Sequence, residues 1–151
     1  LGGAGKTPLL EAPIHFAYGC NTTVGDHFYS NFNLTIVDDV SVTIGNCVMC
    51  APNVTISTTG HPVHPYYRTR GAHFSLPIVI EDNVWIGANV AIMPGVTIGK
   101  NSVIGAGSVV TRDIPANVVA FGTPCRVIRP ITDADLETIR PGATINEDWN
   151  W

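Results

Sequence analysis

From Ile80 onward an aliphatic residue returns at every sixth position: Ile80, Ile86, Ile92, Ile98 and Ile104. Four residues after each stands a second small or branched side chain: Val84, Val90, Val96, Ser102 and Ser108. Gly87, Gly99 and Gly105 follow their isoleucines directly. An earlier block keeps the same beat through Val24, Ser30, Ile36 and Val42, then restarts after a two-residue shift at Ile44, Cys50 and Ile56. There Phe28, Leu34, Val40, Val48 and Val54 fill the fifth position. A period of six fits neither a helix at 3.6 nor a plain two-faced strand. It predicts short strands between tight corners, with one aliphatic side chain per hexad pointing inward. Gly and Asn supply the positive φ that corners demand. Three hexads per turn make a triangular coil with Ile and Val along its axis, an all-β, single-stranded parallel β-helix. The alternative is a β-sandwich with coincidental spacing, which five isoleucines in strict register disfavour. The period does not set the hand of the coil.

Two stretches lack the beat. Residues 57–79 hold Pro62, Pro65, Gly71, Arg68, Arg70 and three histidines, and a loop of that length in a compact domain is usually functional. The second is the tail from Arg112, where Pro115, Pro124 and Pro130 are expected to stop the coil. Within it, ITDADLE predicts a short helix capped by Thr132 or Asp133, placed to cover the open end of the coil.

The chain of 151 residues is 45% hydrophobic and 13% charged, too apolar for disorder and long enough for one core. A net charge of −4 argues against a nucleic-acid partner, and no apolar run is long enough for a membrane span. No signal-peptide pattern is present either. Cys47 and Cys50 form a C-x-x-C pair, but the repeat register turns the two side chains in different directions. Sequons at Asn21, Asn33 and Asn53 fall inside strand-like repeats and are read as chance.

The chemistry-bearing residues gather in two places. The loop carries His61 and His64 in TGHPVH, and YSNFNLTIVDD carries Asn31, Asn33, Asp38 and Asp39, suited to holding hydroxyl groups. These are expected to share one polar pocket, with a neutral His accepting a hydroxyl proton near pH 7. With His73, three histidines stand within thirteen residues, which leaves a zinc site open as an alternative. The tail carries Arg112, Arg126 and Arg129, whose guanidinium forks match phosphate oxygens.

Five stretches together resemble the galactoside and maltose O-acetyltransferases of the hexapeptide family: YSNFNLTIVDD, IGNCVMCAPNVTI, TGHPVHP, NVWIGANVAIMPGVTIGKNSVIGAGSVVTRDIP and GTPCRVIRPI. The resemblance covers residues 13–131 and implies a left-handed coil forming one domain over 1–151. It implies an active-site loop at 57–79 and a coenzyme-binding tail and cap at 112–151. It also implies an acetyl-CoA-dependent O-acetyltransferase with a sugar or similar acceptor, His61 as general base, direct transfer and no metal. Tyr29, Asn31, Asp39 and Trp85 would meet the acceptor. The N–H of Ala88 would face the thioester oxygen, and Ala106, Thr111, Arg112, Arg126 and Arg129 would contact coenzyme A. The family implies a homotrimer with sites between subunits, in the cytoplasm, and a helical segment ahead of Leu1. Ala17 stands where relatives carry a polar residue, and His73 where they carry an apolar one. The rival functions are a non-catalytic hexapeptide scaffold and a zinc hydratase like the gamma-class carbonic anhydrases.

Overall fold

In a computed structural model, described for residues 1–137, Ala143 and Ile145, the chain winds as a left-handed parallel β-helix. Three faces run its length. Face I holds Gly3–Ala4, Thr22–Val24, Val42–Ile44, Ile78–Ile80 and Thr97–Ile98. Face II holds Leu9–Leu10, Tyr29–Ser30, Met49–Cys50, Trp85–Ile86, Val103–Ile104 and Val118–Gly122. Face III holds Ile14–Phe16, Leu34–Val37, Thr55–Ser57, Ala91–Ile92 and Val109–Val110.

The stacked registers explain the sequence beat. Ile80 pairs beside Ile44 and Ile98, Ile86 beside Cys50 and Ile104, and Ile92 beside Ile56 and Val110. All nine are buried. The second column is buried as well, from Phe28, Leu34, Val48 and Val54 through Val84, Val90 and Val96 to Ser102 and Ser108. Each hexad thus sends two side chains inward, not the one expected. Ser102 and Ser108 are tolerated there because their hydroxyls bond to the carbonyls of Pro115 and Gly105.

The corners divide by cause. Asn33, Asn53, Asn89 and Gly107 adopt positive φ at the edge between faces II and III, and Asn83, Asn101 and Asn117 do so between faces I and II. Their amides form ladders from coil to coil, Asn33 to Asn53 to Asn89 and Asn83 to Asn101 to Asn117. The sequons at Asn33 and Asn53 therefore mark corners and not strands, contrary to expectation. Gly87 and Gly99 answer a different need: a Cβ there would stand 2.6 Å from the Ala106 nitrogen and 2.4 Å from the Ala116 nitrogen of the next coil.

Two further expectations are corrected. The coil does not stop at Pro115: Ile114 bridges to Ile98, and Val118–Gly122 pairs in parallel with Val103–Ile104. Cys125–Pro130 then folds back antiparallel on Val118–Gly122, so a hairpin covers that edge of face II. The helical turn, Ala134–Glu137, follows with the Asp135 carboxylate accepting the Thr132 N–H, so Thr132 opens it. The remainder of the expected cap lies outside the described residues.

Candidate active site

The edge between faces III and I is where the coil widens. Face III pairs Phe16 with Ile36 and Ile36 with Ile56, so segments 17–21, 38–41 and the start of the 57–79 loop stack there. The two-residue shift in the sequence beat is this widening. Its interior is polar and satisfied. Asp38 is fully buried, and its carboxylate accepts the N–H groups of Tyr18, Gly19 and Asn21 and the Thr22 hydroxyl. Burial pushes the Asp38 carboxyl up, but the bonds from Gly19, Tyr18 and Thr22 outweigh it and hold the group below the usual carboxylate range. Thr58, also buried, bonds through its hydroxyl to the Val37 carbonyl.

The loop leaves this edge as an arm. Thr59–Gly60 and Phe74–Ser75 form its antiparallel base. Thr59 donates to the Asp39 carboxylate and also bonds the Ser75 hydroxyl at 2.9 Å. Beyond the base, the exposed His61 holds its Nδ1 2.9 Å from the Ala72 carbonyl oxygen. A carbonyl only accepts, so Nδ1 is the donor, and in the neutral ring Nε2 carries the lone pair. The arm's tip is a single helical turn, Pro65–Arg68, whose N-cap is His64: its Nδ1 accepts the Tyr66 N–H. Arg68 donates to the carbonyls of Pro62 and Val63, and Arg70 lies 3.7 Å from the centre of the Tyr66 ring. His64 is thus engaged in the arm's own structure. The His61 and His73 rings are 6.4 Å apart edge to face, and no group of three metal-binding side chains is placed together among the described residues.

The expected single pocket divides in two. Asp39 and His61 belong to the edge between faces III and I, as do Thr111 and Arg112. Tyr29 and Trp85 lie on face II, both in line with Met49, and Asn31, Ala88 and Ala106 stand at the edge between faces II and III. Leu34–Val37 separates Asn31 from Asp39 by roughly 13 Å of extended chain. Asn33 is spent on the corner ladder and Asp38 on the turn below, so neither is free for a ligand. Asn31 accepts the Phe32 N–H with Oδ1, which turns its Nδ2 donors outward from that bond.

The edge at Ala88 and Ala106 is lined by small residues. A Cβ at Gly107 would meet nothing within 4 Å, and the Ala88 N–H donates to no other described group. Of the arginines, Arg112 is exposed and makes no hydrogen bond or ion pair among the described residues. Arg126 donates to the Cys125 carbonyl. Arg129 grips Asp135 through both branches of its fork, at 2.8 and 2.7 Å. That hydrogen-bonded pairing draws the Asp135 carboxyl down to about 2.

The family described as "Bacterial transferase hexapeptide (six repeats)" matches residues 77–112. The galactoside O-acetyltransferase of Escherichia coli (strain K12) is 63% identical over 131 residues, covering 87% of this chain and 64% of that protein. That of Lactococcus lactis subsp. lactis (strain IL1403) is 53% identical over 145 residues, 95% of this chain and 70% of the relative. The chain belongs to the galactoside O-acetyltransferase family of hexapeptide-repeat proteins. Among solved members, a galactoside acetyltransferase in complex with coenzyme A superposes with a TM-score of 0.92 at 56% identity, covering 96% of this chain and 72% of the other. A maltose O-acetyltransferase from Clostridium difficile 630 superposes at 0.85 and 49% identity, covering 87% and 71%. The chain spans less than two thirds of the Escherichia coli member's length.

Sequence reasoning missed the residues that hold the site together. Thr59 lies twenty residues after Asp39, the coil spacing that pairs Ile36 with Ile56, so register alone would have found that contact. Ala72 acts through its carbonyl, which no side-chain pattern reveals.

Proposed function

We propose that the protein is an acetyl-CoA-dependent O-acetyltransferase acting on a hydroxyl of a sugar or similar acceptor, by direct transfer with His61 as general base. The observation that carries this reading is the His61–Ala72 hydrogen bond. In the neutral ring it leaves Nε2 as the free acceptor of an exposed side chain, on an arm whose base is tied to Asp39. Family membership and the coenzyme A bound by the related galactoside acetyltransferase support it.

Acetyl-CoA supplies an activated acetyl thioester. His61 takes the proton of the acceptor hydroxyl as its oxygen forms the new C–O bond, and returns that proton to the leaving sulfur as the C–S bond breaks. The Ala88 N–H faces the carbonyl oxygen on which charge develops. Asn31 and Asp39 orient the acceptor, with Tyr29 and Trp85 beside them. Ala106 and Thr111 border the coenzyme arm, and Arg112, Arg126 and Arg129 meet its phosphates.

Because these groups stand on two edges of the coil, we read the working enzyme as a homotrimer. The Asp39–His61 edge of one copy would meet the Asn31–Ala88 edge of the next. In this reading 57–79 is the active-site arm and the segment from Arg112 the coenzyme-binding tail. The exposed free thiols of Cys20 and Cys47 fit a reducing, cytoplasmic setting.

The test is release of free thiol from acetyl-CoA with a panel of sugars, in excess chelator, with mass measured by sedimentation equilibrium. Sugar-dependent release by a trimer is expected. No release with any hydroxyl acceptor, or release abolished by chelator, overturns the reading.

A further inference from the structure

Tyr18 has no part in the mechanism above, yet its setting is unusual. At 67% exposure it is the most exposed Phe, Tyr or Trp side chain among the described residues. Its backbone, by contrast, is tightly held. The turn that carries it gives three N–H groups to the buried Asp38 carboxylate, from Tyr18 at 2.9 Å, Gly19 at 3.1 Å and Asn21 at 3.2 Å, and Thr22 adds its hydroxyl at 3.0 Å. Asn21 Nδ2 returns a bond of 2.7 Å to the Asp38 carbonyl. A fully buried carboxylate devoted to one surface turn makes that turn rigid. An aromatic ring on a rigid turn is presented to solvent at low entropic cost and favours a partner that covers its face.

Register says where that partner sits. Phe16 stacks beside Ile36 and Ile36 beside Ile56, so the register carries Tyr18 to Asp38 and Thr58 on successive coils, with Asp39 and Thr59 one residue further along the same edge. Tyr18 lies two strand spacings, roughly 9–10 Å, from the level of Thr59. Asp39 fills the middle level, bonded to Thr59, and His61 follows two residues later. The edge therefore runs from a base, past a carboxylate, to an aromatic face. That order suits an acceptor larger than one sugar ring. Its reacting hydroxyl lies at His61, a second hydroxyl at Asp39, and the apolar C–H face of its distal portion on Tyr18.

We infer that Tyr18 determines acceptor specificity, as an aromatic platform for the distal ring or aglycone of a glycoside, with Asp38 as its positioning residue. The inference rests on the acetyltransferase reading for the place of the reacting hydroxyl. The test compares Tyr18→Ala and Tyr18→Phe with wild type, using a monosaccharide, the matching aryl glycoside and the matching disaccharide. Steady-state kinetics is read together with saturation-transfer NMR, which reports contact without turnover. Tyr18→Ala should raise KM for the aryl glycoside and disaccharide about three- to tenfold. KM for the monosaccharide and for acetyl-CoA should stay unchanged, and Tyr18→Phe should behave as wild type. Saturation of the distal ring should be lost in Tyr18→Ala alone. Unchanged KM for the larger acceptors, an equal rise for the monosaccharide, or a trimer that dissociates on Tyr18→Ala overturns the inference. Wild type that contacts the distal ring through Tyr18 but releases no thiol supports this assignment and sinks the acetyltransferase reading. Turnover without any Tyr18 dependence does the reverse.

Discussion

Thr59 donates its hydroxyl to the Asp39 carboxylate, joining the base of the 57–79 arm to the widened corner of the coil below it. His61 lies two residues beyond that anchor, so the position of the imidazole depends on a contact between two coils rather than on the arm alone. A misplacement of about 1 Å from such a support costs on the order of 10²-fold in rate. Thr59→Val, which keeps the shape and removes the donor, should lower kcat by about ten- to a hundredfold with the KM for acetyl-CoA unchanged. Equal losses in both parameters would show that the contact serves folding and not the placement of His61.

Asp38 gives the fold an acid-sensitive element. Its carboxyl is held below the usual value of 3.8 in the folded chain, so its stabilisation is fully present above that value. It is lost as pH falls through the lowered folded value. Asp38→Asn should therefore be less stable by about 1.5–3 kcal/mol at pH 7, and the gap should narrow below about pH 4. Denaturant unfolding at pH 7 and at pH 3 measures it; a gap of the same size at both would contradict the assignment of an ionised, hydrogen-bonded Asp38.

The coenzyme assignment makes a graded prediction. Arg112→Ala and Arg129→Ala should each raise the KM for acetyl-CoA about ten- to a hundredfold with less effect on kcat, the worth of one charge-assisted contact. Asp135 competes for the Arg129 fork, so Asp135→Ala should lower that KM. Wild type should lose affinity for dephospho-coenzyme A, and the variant lacking the 3′-phosphate contact should not discriminate the two. Equal KM values for both cofactors in wild type would remove the phosphate role from these arginines.

The coil was legible in the sequence because its cause is local. Ile80 through Ile104 recur in strict sixes since each must fill the same place on the axis, and the glycines and asparagines follow from corners that repeat with them. The end of the coil was misread because Pro115 fits a corner as readily as a stop, and Ile114 on its near side is buried. The site was legible only as a list of residues. Asn31 and Asp39 are eight apart in the chain, yet the intervening face III strand sets them on different edges. His61 and His64 share one loop motif, and it is the folded arm that separates them, with the His64 ring capping the Pro65–Arg68 turn. Such distinctions depend on three-dimensional partners, the Ala72 carbonyl and the Thr59 hydroxyl among them, that no spacing encodes.

The central claim is that His61 is the base, and the direct measurement is the pH dependence of kcat for wild type, His61→Ala and His64→Ala. His61→Ala should lose about 10²–10⁴ in kcat, keep its affinity for acetyl-CoA, and lose the rise of kcat with pH expected of a wild type that uses a general base. His64→Ala should lose less and keep the rise. Near-normal kcat with the rise intact in His61→Ala, together with an inactive His64→Ala or His73→Ala, would contradict the account.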